Sequence, residues 1–290
     1  MNQADAFTEQ RPLLFSIAYR MLGSVMDAED MVQETFLRWQ QAPPAELRSP
    51  KSYLSTVVTR LCIDQLRSAR AQREQYIGPW LPEPLITEQT PGMDERLIMD
   101  DSVSMAFLVL LERLSPIERA VFLLRDVFDY EYAEIADVVG KTEANCRQMV
   151  RRARQHVAEH RRRFEASPEQ LERVAERFLQ AATEGDMQGF LDLLAEDVTL
   201  RSDGGGKVAA ALNPIYGPSN VARFFIGVST KMPASFEIRR AWVNGAPGAI
   251  TYVDGRPQSV ITADVEDGKV RAVHIVVNPD KLRHVPPLAR

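Results

Sequence analysis

Apolar residues recur at intervals of three and four through most of the first 160 positions, a spacing that predicts amphipathic helices. After residue 235 the spacing changes to alternation, and Asn-Gly or Asp-Gly pairs at 244–245, 254–255 and 267–268 mark tight turns between strands. Helices followed by a meander of strands predict an α+β domain in the second half. The expected helices cover 7–22, a run capped by Ser24 to about 41, 50–73, 97–114, a run capped by Ser115 that includes Leu124, 132–139, a run after 142, 168–183, a short run to 194 and a run from Pro218, with a strand over 198–202.

The stretch from residue 115 to 157 carries the clearest boundary signals. Ser115 and Glu118 have the spacing of a capping box at the start of a helix. A second helical run over 132–139 stops at Gly140, a residue that tolerates a left-handed helix end. Thr142 can then cap a third helix. The sequence therefore predicts helices joined by tight turns.

The third of these helices combines an apolar spine with basic and amide side chains. A basic helix after a short turn suits insertion into a DNA major groove, where Arg can pair with guanine and Asn or Gln with adenine. The alternative is a helical hairpin whose arginines are only solvated. The spine is Cys146, Met149, Val150, Ala153 and Val157, and the outward set includes Asn145, Arg147, Gln148, Arg151 and Arg152.

Composition limits the kind of contact that the chain can make. Its 290 residues allow two or three domains, and its net charge of −5 means that contact with nucleic acid has to come from local patches. Cys62 and Cys146 lie on predicted apolar faces, which favours free thiols in a reducing compartment. No zinc-ligand spacing, signal-like start or membrane-length apolar run is present in the sequence. We expect a cytoplasmic protein without a cofactor, a metal or a membrane contact.

A second basic flank lies on the helix over 50–73. Tyr53 and Tyr76 lie near it, and basic residues beside aromatic ones suit single-stranded DNA. An ordinary amphipathic helix with its arginines stretched along the surface is the alternative. The flank consists of Lys51, Arg60, Arg67, Arg70 and Arg73.

Residues 76–96 change in character, because four prolines there rule out a regular helix. This segment is predicted to be a linker stiffened by proline. Its apolar residues Trp80, Leu81, Leu85 and Ile86 are unfavourable in water, so we expect the linker to dock on a surface. Nonspecific covering of the nearest helix is the alternative.

Two segments resemble conserved regions of bacterial sigma factors. Residues 27–36, Asp-Ala-Glu-Asp-Met-Val-Gln-Glu-Thr-Phe, resemble the second region, and residues 114–119, Leu-Ser-Pro-Ile-Glu-Arg, with the helices after them resemble the fourth. With these two regions and no further sigma regions, the chain resembles the extracytoplasmic-function class of sigma factors. The resemblance implies a region 2 domain over 1–75, the linker over 76–96 and a region 4 domain over 97–163.

The resemblance also implies roles for individual residues. Core RNA polymerase is expected to bind the face of Asp30, Gln33, Glu34 and Arg38. The minus-ten element of promoter DNA is expected to contact Lys51, Arg60, Asp64, Arg67 and Arg70. The minus-thirty-five element is expected to contact Thr142, Asn145, Arg147, Gln148, Arg151 and Arg152.

The second half resembles the SnoaL-like branch of the cone-shaped fold shared with ketosteroid isomerase. Three motifs accompany it: Trp-Leu-Pro-Glu-Pro at 80–84, Asp-Gly-Gly-Gly-Lys at 203–207 and Asn-Pro-Asp-Lys-Leu at 278–282. With them, the whole arrangement resembles the SigJ-like subfamily, in which this fused domain replaces a separate membrane anti-sigma factor. It implies two all-α sigma domains, an α+β SnoaL-like cone domain over 168–278 and a tail over 279–290, which prolines are expected to keep extended. Regulatory interdomain contacts are expected from Trp80, Leu81, Pro82, Asp203, Lys207, Asn278, Pro279, Asp280, Lys281 and Leu282.

The chain is thus expected to be an alternative sigma factor and not an enzyme. Its SnoaL-like domain is expected to regulate its activity in cis. One alternative is a sensor whose SnoaL-like pocket binds a small-molecule ligand. Another is an isomerase or hydratase using Asp203, Asp264 and His274, although a lone strand histidine is more often structural. The glycines at 204–206 with Lys207 could bind an anion or form a plain turn. A DNA-binding regulator that acts without polymerase is a further alternative.

Overall fold

The computed structural model describes most of the chain, and the described residues form two compact units. It covers residues 3–41, 49–73, 76–86, 104–160 and 168–288, with the backbone alone for 69–73, 159–160 and 168. The first unit contains 3–41, 49–73 and 107–160, and the second contains 76–86, 104–106 and 168–288. The described part of the predicted linker therefore belongs with the C-terminal half.

The described residues up to 160 form seven α-helices apart from the segment 76–86. Three of the helices predicted at the N-terminus are confirmed to within a few residues at each end. The bounds are α1 Gln3–Leu22, α2 Val25–Gln41, α3 Pro50–Arg73, α4 Met105–Leu111, α5 Pro116–Asp126, α6 Tyr132–Val139 and α7 Glu143–His160.

The helix predicted over 97–114 is corrected to a shorter one. Residue 104 is a bend, α4 ends at Leu111, and residues 97–103 lie outside the described ranges. Tight turns follow, in which Arg113 N–H bonds to Leu110 O and Leu114 N–H to Leu111 O, both at 3.1 Å. The helix has to end there because Ser115 takes an extended conformation, with ψ at 157°, to cap α5.

The cap signals around α5, α6 and α7 are confirmed. Ser115 and Glu118 form the expected capping box, and Gly140 ends α6 in the left-handed region with φ at 64°. Thr142 Oγ1 accepts a hydrogen bond from Asn145 N–H at 3.3 Å at the start of α7. The three helices share one apolar core, which includes Val121, Leu124, Ile135, Cys146 and Val150.

The second unit is a six-stranded sheet with helices. The strand order is β2-β1-β6-β5-β4-β3, and β1 and β6 are parallel while the other neighbours are antiparallel. Its elements are α8 Pro168–Glu184, α9 Met187–Leu193, β1 Leu194–Asp203, β2 Ile215–Tyr216, α10 Pro218–Ser229, β3 Phe236–Val243, β4 Ala246–Val253, β5 Arg256–Glu266, β6 Lys269–Val276 and a 3₁₀ helix Pro279–Leu282. The predicted hairpin turns are confirmed, since Asn244, Asp254 and Asp267 have φ near 50° before glycine.

Different segments of the chain pack on the two faces of this sheet. Phe178, Phe190 and Phe225 from the helices pack on one face, together with strand residues such as Leu200 and Val273. Side chains alternate along a strand, so Asp203 and His274 point to the opposite face. The segment 76–86 and the tail cover that face, and their Leu81, Leu85, Ile86, Leu282 and Val285 are all buried.

The prediction that the apolar linker docks on a surface is thus confirmed for its described part. The prediction of an extended tail is wrong at its start, where residues 279–282 form a 3₁₀ turn. The turn forms because Asn278 Oδ1 accepts from Asp280 N–H at 3.1 Å and Pro279 suits the first helical position. Among the described helices, none is long and apolar enough to cross a membrane.

Candidate functional site

The outer face of α2 carries polar residues beside exposed apolar ones. Asp30, Gln33 and Arg38 are exposed, and Glu34 is half-buried with its carboxylate 2.9 Å from Arg38 Nε. Met26 and Leu37, which are 47% and 51% exposed, share the face of Asp30 and Gln33 because their spacings are four, three and four. Exposed apolar residues inside a polar face are typical of a protein-binding surface.

Two of the predicted minus-ten residues are engaged within the first unit. Arg60 donates from Nε to Val138 O at 2.9 Å and from Nη2 to Asp137 O at 2.6 Å. These carbonyls lie at the C-terminal, negative end of α6, where a cation is stabilised. Lys51 Nζ lies 5.6 Å from the centroid of the Tyr130 ring, so both cations contact the helix-turn-helix segment.

The remaining predicted minus-ten residues are less constrained. Asp64 and Arg67 are exposed and form an ion pair at 3.3 Å, whereas the side chain of Arg70 lies outside the described part. Both tyrosines near this basic flank have partners within the protein. Tyr53 packs its ring 5.6 Å from Trp39, and the Tyr76 hydroxyl donates to Asp203 in the second unit.

On α7 the predicted outward residues are exposed, but the arginines differ in their partners. Arg147 Nη2 donates to Glu143 at 2.7 Å, and Arg154 makes a bidentate pair with Asp126 at 2.7 and 2.8 Å. The hydrogen bond that Arg154 donates to Asp126 raises the pKa of Arg154. Arg151 and Arg152 have no hydrogen-bonding or ionic partner in the ranges that the structure covers. Thr142, Asn145 and Gln148 share the exposed side of this helix.

The centre of the second unit's covered face is the carboxylate of Asp203, which is fully buried. It accepts hydrogen bonds from the Tyr76 hydroxyl at 2.5 Å, Leu81 N–H at 2.8 Å, Gly205 N–H at 3.1 Å and Lys281 Nζ at 2.7 Å. Four donors fully compensate a buried carboxylate for the water that it has lost. The donors come from the adjacent loop and from the distant linker and tail, so Asp203 ties two distant segments together.

Lys281 is the cation of this arrangement. Its ammonium also donates to Leu81 O, and it lies 4.1 Å from the Trp80 ring centroid and 5.3 Å from that of Tyr76. Burial and the neighbouring Asp203 carboxylate raise the pKa of Tyr76, which keeps its hydroxyl a donor. We call this group, consisting of Tyr76, Trp80, Leu81, Asp203, Gly205, Asn278 and Lys281, the Asp203 cluster.

Further contacts surround the Asp203 cluster. Asn278 Nδ2 donates to the Tyr76 hydroxyl at 3.0 Å, and a Cβ on Gly205 would lie 2.3 Å from that same Nδ2, so only glycine fits. Lys207 is exposed and pairs with Asp280, which argues against the predicted alternative of an anion site. Pro82 and Leu282 are buried, and Pro279 is exposed.

Sequence reasoning missed Asn244 as a contact to the linker. Its backbone N–H donates to Leu85 O at 2.8 Å, and its Oδ1 accepts from Leu85 N–H at 3.0 Å. Ile86 then pairs with Val243 at the edge of the sheet. The sequence marks Asn244 only as a turn residue, and nothing local indicates that its side chain reaches the linker.

The candidate catalytic pair does not line the cavity described between α8 and the sheet. Asp264 Oδ2 lies 2.9 Å from His274 Nε2, on the strand face opposite to Ile261, Ala263 and Val265. Those three residues, α8 and part of β4 line a partly open cavity of about 30 Å³. Ligand pockets typically measure roughly 300–1,000 Å³. The geometry therefore adds no support for the small-molecule sensor or the isomerase.

Three known families match successive parts of the chain. Sigma-70 region 2 matches residues 6–72, Sigma-70 region 4 matches 104–157, and the SnoaL-like domain matches 175–280. The first two contain the α2 face and the helix-turn-helix, and the third contains Asp203 and Asn278. The order of the matches is the order predicted from the sequence.

Relatives from Mycobacterium tuberculosis cover almost the whole chain. The ECF RNA polymerase sigma factor SigJ is 38% identical over 299 residues, which cover 98% of this chain and 94% of the relative. A probable ECF RNA polymerase sigma factor, SigI, is 32% identical over 288 residues, with 97% of each chain covered. The crystal structure of SigJ matches with a TM-score of 0.80 at 35% identity and covers 98% of this chain and 99% of that one. The chain therefore belongs to the extracytoplasmic-function family of RNA polymerase sigma factors, and it carries a SnoaL-like C-terminal domain.

Proposed function

We propose that the second unit restrains this sigma factor in cis through the Asp203 cluster. In the same proposal, the outer face of α2 binds core RNA polymerase, α3 binds the minus-ten element and α7 binds the minus-thirty-five element. The observation that carries the regulatory part is the buried carboxylate of Asp203, which accepts from both the linker and the tail.

The restraint acts through the connection between α3 and α4. Residues 76–86 lie in that connection, and the Asp203 cluster holds them on the sheet through Tyr76 and Leu81. Asn244 holds them again at Leu85. Any rearrangement that separates region 2 from region 4 is therefore limited by contacts of the second unit.

We infer that such a rearrangement is needed because residues of region 4 contact two cations that are proposed to bind the minus-ten element. Arg60 donates to two carbonyls of α6, and Lys51 lies over Tyr130. Release of those contacts would make all the N–H groups of these two cations available to phosphates or bases. Loss of the Asp203 cluster should therefore raise promoter-dependent transcription.

Transcription in vitro with purified core RNA polymerase tests the regulatory part. A chain ending at Val277 loses Asn278 and Lys281, whereas the matched control ending at Leu288 keeps the whole Asp203 cluster. We expect several-fold more promoter-dependent transcript from the chain ending at Val277, and control output equal to that of the intact chain. Equal or lower output from the shorter chain would refute restraint by the tail.

Co-purification with core RNA polymerase tests the α2 face separately. Asp30→Arg reverses a charge at the centre of the exposed face and should weaken retention of the chain on polymerase, since like-charge contacts across an interface are unfavourable. Glu196→Arg, at an exposed position of β1, is the matched control and should leave retention unchanged. Equal retention of both variants would remove α2 from the proposed interface.

A further inference from the structure

The guanidinium of Arg147 is fixed from two sides, which distinguishes it from the neighbouring arginines of α7. Its Nη2 donates to Glu143 at 2.7 Å, one turn earlier on the helix. Its Cζ lies 4.9 Å from the centroid of the Tyr132 ring on α6. Arg151 and Arg152 have neither kind of partner in the part of the chain that the structure describes.

The ring of Tyr132 is itself held in place. Arg125 from α5 lies over the same ring, with its Cζ 5.1 Å from the centroid. Arg125 is anchored because its Nη1 donates to Tyr130 O at 2.8 Å and lies 3.5 Å from the carboxylates of Asp129 and Glu131. All three helices of the helix-turn-helix therefore contribute to the position of Arg147.

The fixed orientation of Arg147 matters because a contact to a base requires an oriented guanidinium, whereas a contact to a phosphate does not. Reading guanine needs two N–H groups aimed at O6 and N7, whereas a phosphate contact positions the protein and carries no sequence information. A guanidinium has five N–H groups, and Arg147 gives one to Glu143, so donors remain for a base. Fixing the head group before DNA arrives reduces the side-chain entropy lost on binding.

We propose that Arg147 reads a guanine of the minus-thirty-five element and that Tyr132 and Glu143 are the positioning residues that aim it. Arg151 and Arg152, without partners, bind the phosphates. This proposal rests on the proposed function, in which α7 binds that element. Neither Tyr132 nor Glu143 needs to touch the DNA for its effect.

The experiment uses the holoenzyme formed with core RNA polymerase and a minus-thirty-five duplex selected from a randomised DNA library with the unmodified chain. Each base pair of that duplex is then replaced, and the affinity of every variant holoenzyme is measured. Arg147→Ala should lose roughly five- to 100-fold discrimination at one G·C pair. Tyr132→Leu should lose roughly two- to fivefold at the same pair, the range of an exposed cation–π contact.

Conservative variants separate positioning from a structural role. Tyr132→Phe keeps the ring and should restore full discrimination, while Glu143→Gln keeps the shape, removes the charge and should lose part of the discrimination at the same pair. Adding Tyr132→Leu to Arg147→Ala should cost no further discrimination. Arg151→Ala should weaken binding to all sequences equally and reduce the salt slope by about one.

The outcomes separate this inference from the function on which it rests. If the unmodified holoenzyme shows no base preference in this element, the role of α7 in the proposed function is wrong. If it shows a preference but Arg147→Ala and Glu143→Gln affect different pairs, or all pairs equally, the positioning role is refuted. Glu143 is exposed, so its variant remains decisive even where Tyr132→Leu fails to fold.

Discussion

Two ion pairs in this protein have the same length but differ in how far they are buried. Asp203 and Lys281 lie 2.7 Å apart with side chains that are 0% and 9% exposed, whereas Glu143 and Arg147 lie 2.7 Å apart and are 45% and 56% exposed. Water cannot replace either partner in the first pair, so that pair holds chain segments together. The second pair is exposed to solvent and adds little stability, and it leaves the other N–H groups of Arg147 accessible to DNA. Burial, rather than distance, therefore distinguishes the pair proposed to restrain the linker from the pair proposed to position an arginine for DNA.

The largest expected effect is on the stability of the second unit. Asp203→Asn leaves the Lys281 ammonium buried without its carboxylate. The new amide N–H₂ group also faces N–H and O–H donors of the Asp203 cluster, so it cannot accept their hydrogen bonds. We expect a loss of about 3–5 kcal/mol in the free energy of unfolding of this unit. Denaturant unfolding followed by circular dichroism measures it, and a loss within about 0.5 kcal/mol, the range of a neutral surface substitution, would contradict the structural role.

Lys281→Met should cost less than Asp203→Asn. Without the ammonium, Asp203 still accepts from Tyr76, Leu81 and Gly205, so it is not left unpaired. The double variant Asp203→Asn with Lys281→Met should be more stable than Asp203→Asn alone, because the unpaired charge is gone. Strictly additive losses in the free energy of unfolding would show that the two charges are not coupled.

The next effect concerns the salt dependence of DNA binding. Arg151→Ala should lower the slope of log affinity against log salt by about one, because a phosphate contact is lost. Arg154→Ala is the matched control, since Asp126 already holds its guanidinium in a bidentate pair. We expect its slope to change less. Equal changes in the two slopes, measured by titration of holoenzyme with promoter DNA, would contradict the distinction between free and paired arginines.

The smallest expected effect is a loss of stability at acid pH that comes from Asp280. The bond from Lys207 lowers the pKa of Asp280, so the folded state favours the ionised carboxylate. A lowered folded-state pKa adds stability above the usual pKa of aspartate, and this stability is lost as the pH falls through and below that value. Because the Asp280 side chain is 38% exposed, we expect only a few tenths of a kcal/mol. The difference in the free energy of unfolding between the intact chain and Asp280→Asn should shrink from about pH 5 to about pH 3; a constant difference would contradict it.

Local signals are enough to predict most helices and turns. The capping box of Ser115 and Glu118, the left-handed Gly140 and the hairpin turn at Asn244 depend on residues within a few positions of one another. The two-residue strand β2 is not predicted, because it is too short to show alternation. The predicted end of α4 is wrong because the requirement of Ser115 for an extended backbone overrides the apolar spacing before it.

The Asp203 cluster can be predicted only in part. The resemblance to a known subfamily points to Asp203 and Lys281, which are 78 positions apart. Tyr76 lies 127 positions from Asp203, and nothing near it in sequence indicates that partner. Contacts between residues so distant in the chain depend on the path that the linker and the tail take across the sheet, which no local sequence pattern encodes.

The most direct test of the restraint is transcription by core RNA polymerase on fragmented genomic DNA, with the intact chain compared with the charge-neutral double variant of Asp203→Asn and Lys281→Met. Genomic fragments supply the promoters whatever their sequence is. The account predicts initiation at the same sites by both proteins, with several-fold more transcript from the double variant. Equal or lower output from a folded double variant would contradict the claim that the Asp203 cluster restrains the sigma regions.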